Sequence, residues 1–243
     1  MRQLLLAIVG AMGCALAGRA PDAPAPPDVT LELGPRQAQG TPSRTGFAHT
    51  GGGNIDVQQP SPDTIVVTMT GVAVAGGHPG KDSLAALAFE LVQEFEVKFV
   101  KPETKQARLT VEARVIGLLR SHAKGGSAGI TCPAHAAVAP VGGGPAVAEV
   151  GLPGRAVAGG ENLSVNDKVG PTAAVVPAGK YALHQAFGVQ AAHPRSLWPC
   201  KAASAEFAPD PALDPLWISA FEPFHGAQKK DFGFQVIVRV AAE

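Results

Sequence analysis

Period-two alternation of apolar and polar side chains is the feature that most limits how this chain can fold. Successive side chains of a β-strand point to opposite faces, so the pattern predicts a strand with one buried and one solvated face. Between positions 89 and 99 the odd positions are mostly apolar and the even positions mostly charged. Near the C-terminus one parity is wholly apolar: Phe232, Phe234, Val236, Val238 and Val240. Both stretches predict strands that bury one face in a core.

The rest of the chain predicts many short strands separated by turns. Glycine and proline make up 29 and 22 of the 243 residues, and both interrupt regular structure and favour turns. Further strands are predicted over 64–75, with a bulge at Gly71, and over 109–115, 147–150, 173–176, 181–190 and 216–221. The sequence therefore predicts an all-β fold, a β-sandwich or jelly roll in which antiparallel sheets bury their apolar faces on each other.

Two local predictions concern the middle of this pattern. The alternating stretches at 89–99 and 109–115 flank a polar turn, so they predict a β-hairpin, and charge pairing favours the register that sets Glu96 beside Arg114. A helix over Ser83 to Gln93 remains an alternative to a strand, because three leucines there also satisfy helical spacing.

The first 20 residues have the layout of a secretion signal. Arg2 precedes a short apolar run that ends among small residues, and the run is too short to span a bilayer. The position at which the signal is cleaved has two possible interpretations. A loose lipobox would leave Cys14 as a lipid-bearing N-terminus, whereas cleavage after Ala15-Leu16-Ala17 would discard that cysteine. We therefore expect an exported protein, located in the periplasm, on the outer membrane through a lipid, or outside the cell.

The mature chain divides into two predicted parts. Residues 21–53 are rich in Ala, Pro and Gly and predict a flexible, disordered tether, within which 29–33 alternates and could add a strand. Residues 54–243 predict a single β-sandwich domain. Because Cys14 is either lipid-modified or removed with the signal, only Cys132 and Cys200 remain free to pair. An even pair in an oxidising compartment predicts one structural disulfide.

Charge excludes one class of partner. The chain has 20 basic and 20 acidic residues, for a formal net charge of zero. Nucleic-acid binding depends largely on the neutralisation of phosphates by basic groups, so we expect no nucleic-acid partner. Basic clusters are absent from the sequence as well, so membrane contact is expected only through an N-terminal lipid.

One short string matches a catalytic motif. Gly125 to Gly129 reads G-x-S-x-G, the nucleophile elbow of serine hydrolases, with Ser127 as the nucleophile and Asp214 and His225 as its possible partners. The elbow needs an apolar strand before the serine and a helix after it. Polar residues precede Ser127 and Pro133 follows it, so a glycine-rich turn is the preferred interpretation.

Other candidate residues carry weaker patterns. Glu94 and Glu96 point to the same side of a predicted strand, and a glycosidase needs two acids, although a charged outer face explains them more simply. Trp198 lies in a proline-rich loop and is a candidate ligand contact, by stacking on a sugar ring. The histidines His184, His193 and His225 lack the spacing of a metal site, so neither a metal nor a cofactor is predicted.

These observations predict an exported, non-catalytic module of the cell envelope or cell surface. Its sandwich would bind an unidentified protein or glycan, or serve a structural role. Two alternatives remain. One is a secreted hydrolase that uses Ser127 or the Glu94 and Glu96 pair, and the other is a carbohydrate-binding module that uses Trp198.

Overall fold

The computed structural model of this chain describes residues 27–121, 127–130, 134–158, 161–195, 205–208 and 233–243. These residues form thirteen strands and no helix. The strand bounds are β1 Val29–Thr45, β2 Phe47–Ser61, β3 Thr64–Gly76, β4 Ser83–Phe99, β5 Ala107–Ser121, β6 Ser127–Ile130, β7 Ala134–Pro140, β8 Ala148–Leu152, β9 Arg155–Ala158, β10 Asn162–Val176, β11 Gly179–His193, β12 Ala205–Ala208 and β13 Gly233–Ala242. The predicted strand over 216–221 lies outside the described residues.

The strands form two antiparallel sheets, which confirms the predicted all-β sandwich. Sheet A runs β1, β4, β11, and then the short strands β7 and β6, which pair in turn with β8 and β9. Sheet B runs β2, β3, then β13 and β12 sharing one position, then β5 and β10. A turn at Gly46 carries the chain from β1 to β2, so the two edge strands on that side of the sandwich are consecutive and belong to different sheets.

A single apolar core lies between the sheets. The predicted inner face of the last strand is confirmed over its described residues, since these side chains are all buried: Phe234, Val236, Val238 and Val240. The ring of Phe187 in sheet A lies between two other rings. Its centroid is 6.3 Å from that of Phe89 and 5.6 Å from that of Phe234 in sheet B. This row of rings joins the two sheets through the centre of the core.

The predicted hairpin between 89–99 and 109–115 is wrong. Both stretches are strands, but β4 pairs with β1 and β11 in sheet A, whereas β5 pairs with β10, β12 and β13 in sheet B. Glu96 lies opposite Glu32 and Lys180, and Arg114 lies opposite Lys168 and Gln235. The polar turn therefore crosses between the sheets, and each strand buries its apolar face from its own side of the core.

The helical alternative over Ser83 to Gln93 is also wrong. Burial alternates with period two from Ser83 through Val97, and the inward positions include Ala85 and Leu87 as well as the predicted phenylalanines. Strong helix formers at exposed positions do not change this outcome, because burial of the alternate face decides the structure.

The flexible tether predicted over 21–53 is wrong from Val29 onward, where the chain forms β1 and the first half of β2. The strand expected over 29–33 is confirmed, and Val29 and Leu31 are buried in the core. The rest of β1 has an exposed surface yet pairs with β4 as far as Thr45. Its order therefore comes from the backbone ladder rather than from buried apolar side chains.

A buried amide holds β1 at its irregular point. The register of β1 on β4 shifts between Leu33 and Arg36. The Gln93 side chain, 3% exposed, points into this bulge, and its Nε2 donates to the carbonyl oxygen of Gly34 at 3.0 Å and of Glu94 at 2.8 Å. Gln93 thus gives the two strands of the bulge a buried hydrogen-bond donor.

Replacement of Gln93 by methionine is expected to lower the free energy of unfolding by about 1–3 kcal/mol, because the bulge loses its buried donor. Gln185→Met is the matched control. Gln185 is equally buried, but its amide has no hydrogen-bond partner among the described residues, so its loss should leave stability unchanged or raise it. Urea denaturation of both variants measures the difference, and equal destabilisation would contradict this role for Gln93.

Gly71 lets the sheets approach each other. A bulge occurs at this point, but it is on β2 rather than on the predicted strand: Gly51 and Asn54 of β2 lie opposite Val72 and Thr70, which leaves two β2 residues against Gly71. A Cβ on Gly71 would lie 2.7 Å from Cδ2 of Leu87 and 2.8 Å from the ring of Phe89. A side chain at this position therefore cannot fit without moving sheet A.

Gly71→Ala is expected to lower the free energy of unfolding by about 1–3 kcal/mol through overpacking. Gly76→Ala, at the end of the same strand, is the control, since a Cβ there would meet no atom closer than 3.8 Å. Urea midpoints of the two variants check the prediction. A Gly71→Ala midpoint as high as that of Gly76→Ala would show that the sheets do not pack this closely.

The turn between β2 and β3 is fixed by a carboxylate. The hydroxyls of Ser61 and Thr64 both donate to Oδ1 of Asp63. The hydroxyl of Ser61 lowers the pKa of the Asp63 carboxyl below its ordinary 3.8, against a smaller opposing effect of burial. A folded-state pKa below the unfolded value means that ionised Asp63 stabilises the fold above pH 3.8 and that this contribution is lost as the pH falls through the folded-state pKa.

Asp63→Asn is therefore expected to lower the free energy of unfolding at pH 7, and its difference from the wild type should shrink as the pH falls below 3.8. Urea denaturation at several pH values measures that difference. A difference that stays constant from pH 7 to pH 3 would assign the effect to packing rather than to the charge.

Candidate binding groove

A groove of about 440 Å³ opens between the edge strands β1 and β2. Its two walls come from different sheets. The β1 wall consists of Ala38, Gln39, Gly40 and Pro42, and β2 contributes Thr50, Gly53 and Ile55. The floor belongs to β4, the strand beside β1. The groove therefore lies where the two sheets separate at the edge of the sandwich.

The groove exists because β1 changes from large to small inward-facing side chains. On the N-terminal side of the bulge, β1 places Val29, Leu31 and Leu33 opposite inward-facing residues of β4. On the C-terminal side of the bulge, the same face of β1 holds Ala38, Gly40 and Pro42 opposite Leu91, Phe89 and Leu87. These smaller side chains leave the upper part of the space between the edge strands unfilled.

Leu87 and Phe89 form the floor, and glycines lie over them. A Cβ on Gly40 would lie 3.4 Å from the ring of Phe89, and one on Gly53 would lie 3.5 Å from both the same ring and Leu87. Leu87 and Phe89 are only 5% and 2% exposed. The floor is thus apolar and well covered, and the groove above it is walled largely by backbone and small side chains.

The upper end of the groove is fixed by the turn from β1 to β2. Gly46 has φ of +68°, and a Cβ there would overlap Ser83. The backbone N–H of Phe47 donates to Oγ of the buried Ser83 at 3.0 Å, and the Phe47 ring packs 4.6 Å from the ring of His78. The two edge strands are therefore held together at one end of the groove.

Two arginines lie on the groove face of β1. Arg36 and Arg44 pair in register with Gln93 and Ala85, both inward-facing residues of β4, and directly paired residues share a face. Both are exposed, and neither has an ion pair or hydrogen bond among the described residues. No acidic residue occurs between positions 33 and 55. The positive charges of Arg36 and Arg44 therefore have no acidic neighbour along β1 and the first part of β2.

The groove was not predictable from the hydrophobic pattern of the sequence. Its walls lie in the segment assigned to a tether, because small residues provide little hydrophobic signal. One pattern was present: Ala38, Gly40 and Pro42 alternate with the polar residues Gln37, Gln39 and Thr41.

The carboxylates Glu94 and Glu96 lie away from the groove. They occupy the parity of β4 that faces outward from sheet A, opposite to the parity of Phe89. Glu96 lies 3.6 Å from the ammonium of Lys98, and its expected partner Arg114 is in the other sheet. This pair therefore forms part of a charged outer face.

Ser127 begins strand β6 and pairs with Ala192 and Ala158. Residues 127–130 continue as a strand, whereas a nucleophile elbow requires a helix after the serine. The proposed partners Asp214 and His225 lie outside the described residues. The backbone at Ser127 therefore does not have the conformation that the motif requires.

The histidines that can be placed do not converge. His184 is exposed on the outer face of β11, whereas His193 is buried on its inner face, with Nδ1 2.7 Å from the carbonyl oxygen of Pro194. His225 lies outside the described residues. No group of three or more His, Cys, Asp or Glu that could hold a metal occurs within the described ranges.

Four predicted residues lie outside the part of the chain that the structure describes: Cys14, Cys132, Trp198 and Cys200. The lipid attachment, the disulfide and the aromatic ligand contact therefore stay predictions. Where the chain is described, none of its elements is a helix of the length and hydropathy needed to cross a membrane.

Comparison with known proteins adds no assignment. No protein-family model, curated protein or solved structure matches this chain. The groove and its side chains therefore provide the basis for a functional proposal.

Proposed function

We propose that this chain is an exported, non-catalytic module of the cell envelope or surface that binds a ligand in the groove between β1 and β2. The observation that carries the proposal is the groove itself. Its volume of about 440 Å³ falls within the range of about 300–1,000 Å³ typical of ligand sites. Both walls are strands, and a site on regular elements holds its contacts more precisely than one on loops.

The chemistry of the lining supports binding rather than catalysis. Of the described residues that line the groove, Thr50 offers a side-chain hydroxyl, beside apolar groups and backbone. Gln39 lies on the other parity of β1, opposite the outward-facing Glu90. The Gln39 amide already donates to Glu90 at 2.6 Å. General acid and base catalysis needs a titratable group within hydrogen-bond reach of the substrate, and this lining contains no carboxylate, histidine or cysteine.

Export is supported by the N-terminal signal pattern and by Cys132 and Cys200, the two cysteines that remain free to pair. An exported module meets glycans and other exported proteins, and both classes can bind in an open groove. The N-terminal lipid on Cys14, if that cysteine is retained, would fix the module to a membrane surface.

Ala38→Phe is expected to reduce ligand binding at least about tenfold, since a ring on the β1 wall would fill the groove. Thr41→Phe is the matched control, because Thr41 pairs with Ala88 on the opposite, exposed face of the same strand. The mature chain and both variants are compared on an array of defined glycans and peptides. A ligand that binds Ala38→Phe as tightly as the wild type, or no bound ligand at all, would contradict the proposal.

A further inference from the structure

Arginines on the two sides of the sandwich differ in whether they have an acidic partner. On the far side, Arg155 of β9 in sheet A and Asp167 of β10 in sheet B form an ion pair across the sheets, with Nε and Oδ2 2.8 Å apart. On the groove side, Arg36 and Arg44 have no acidic partner among the described residues. Arg36 and Arg44 flank the β1 wall of the groove, each two positions beyond its end and on the same face of the strand. Two guanidinium groups without an acidic partner, beside a lining without acidic groups, indicate an anionic occupant.

The occupant must be long. Arg36 and Arg44 are eight positions apart on one strand, which corresponds to about 27 Å at the rise of a β-strand. The small residues Ala38, Gly40 and Pro42 lie between them on the same face. A single small anion cannot reach both guanidinium groups, whereas an extended polymer lying along the groove can.

Strand addition by a peptide is disfavoured at this edge. The ladder from β1 to β4 is continuous from Arg36 to Thr45 and includes Pro42. A proline in a paired strand has to place its missing N–H on the unpaired side, so the free edge of β1 lacks a donor in the middle of the groove. Prolines at an edge act against pairing with another strand, and a bound peptide would lose ladder hydrogen bonds there.

We propose, on the basis of the binding function proposed above, that the groove holds an anionic polysaccharide whose repeating carboxylate groups bind Arg36 and Arg44. A guanidinium group binds a carboxylate through two parallel hydrogen bonds. The sugar hydroxyls can meet the hydroxyl of Thr50 and the backbone that Gly40 and Gly53 leave uncovered. This site takes the class of polymers built from uronic acids.

The test measures binding of oligogalacturonate to the mature chain by calorimetry, with a neutral glucan of equal length and a polyglutamate peptide beside it. Arg36→Gln and Arg44→Gln are each expected to weaken oligogalacturonate binding about tenfold, equivalent to about 1.4 kcal/mol. Arg108→Gln is the control, because Arg108 is an exposed arginine of β5 in sheet B, and its binding should equal that of the wild type. Binding by the wild type should also weaken as salt is raised.

Loss of binding in both groove variants and retention in Arg108→Gln support the proposal. Equal binding by the groove variants, absence of oligogalacturonate binding at millimolar concentration, or binding of polyglutamate alone would overturn it. A neutral glycan that is lost in Ala38→Phe but not in the arginine variants would overturn the anionic assignment while leaving the groove as a binding site.

Discussion

The packing of Phe89 against positions without side chains is the constraint on which the rest of this structure depends. A Cβ on Gly71 of β3 would overlap its ring, and a Cβ on Gly40 of β1 or Gly53 of β2 would lie in van der Waals contact with it. The ring stacks in turn on Phe187 and through it reaches Phe234. Three strands can therefore converge over one buried ring, and the space above it stays open.

Two buried polar side chains bind the chain near the two ends of the β1 wall. Gln93 binds the bulge at the lower end of the exposed part of β1, and Ser83 binds the turn at its upper end. Both contacts join residues far apart in the chain. Because both are made without any ligand, the groove face of β1 is fixed in advance, and binding need not pay the full entropy of ordering it.

The alternation of side chains explains how much of the fold could be predicted. Burial of one parity needs no knowledge of partners, so β4, β5, β11 and β13 follow from the sequence. Alternation does not specify which strands pair with each other. The hairpin that would have set Glu96 beside Arg114 does not form, because β4 and β5 belong to different sheets. A charged cross-strand pair contributes only about 0.2–1 kcal/mol of stability. That contribution is small compared with the free energy gained by burying two apolar strand faces.

The groove could not be predicted for a different reason. Its wall on β1 is held by backbone pairing and by Gln93, 59 positions from Gly34, whereas Ala, Gly and Pro in the wall resemble a linker in composition. A low hydrophobic signal therefore marked this segment as a tether, although the ladder orders it as far as Thr45. The pairing of β1 with β4 is what shows that Arg36 and Arg44 lie on the groove face of the strand.

Amide hydrogen exchange of the mature chain without ligand tests most directly that β1 and β2 belong to the sandwich. Slow exchange is expected for alternate amides from Gln37 to Thr45, which face β4, and for those of β2 that face β3. Exchange over residues 34–53 at the rate of an unfolded chain would contradict it, because a groove with fixed walls requires both strands to remain paired.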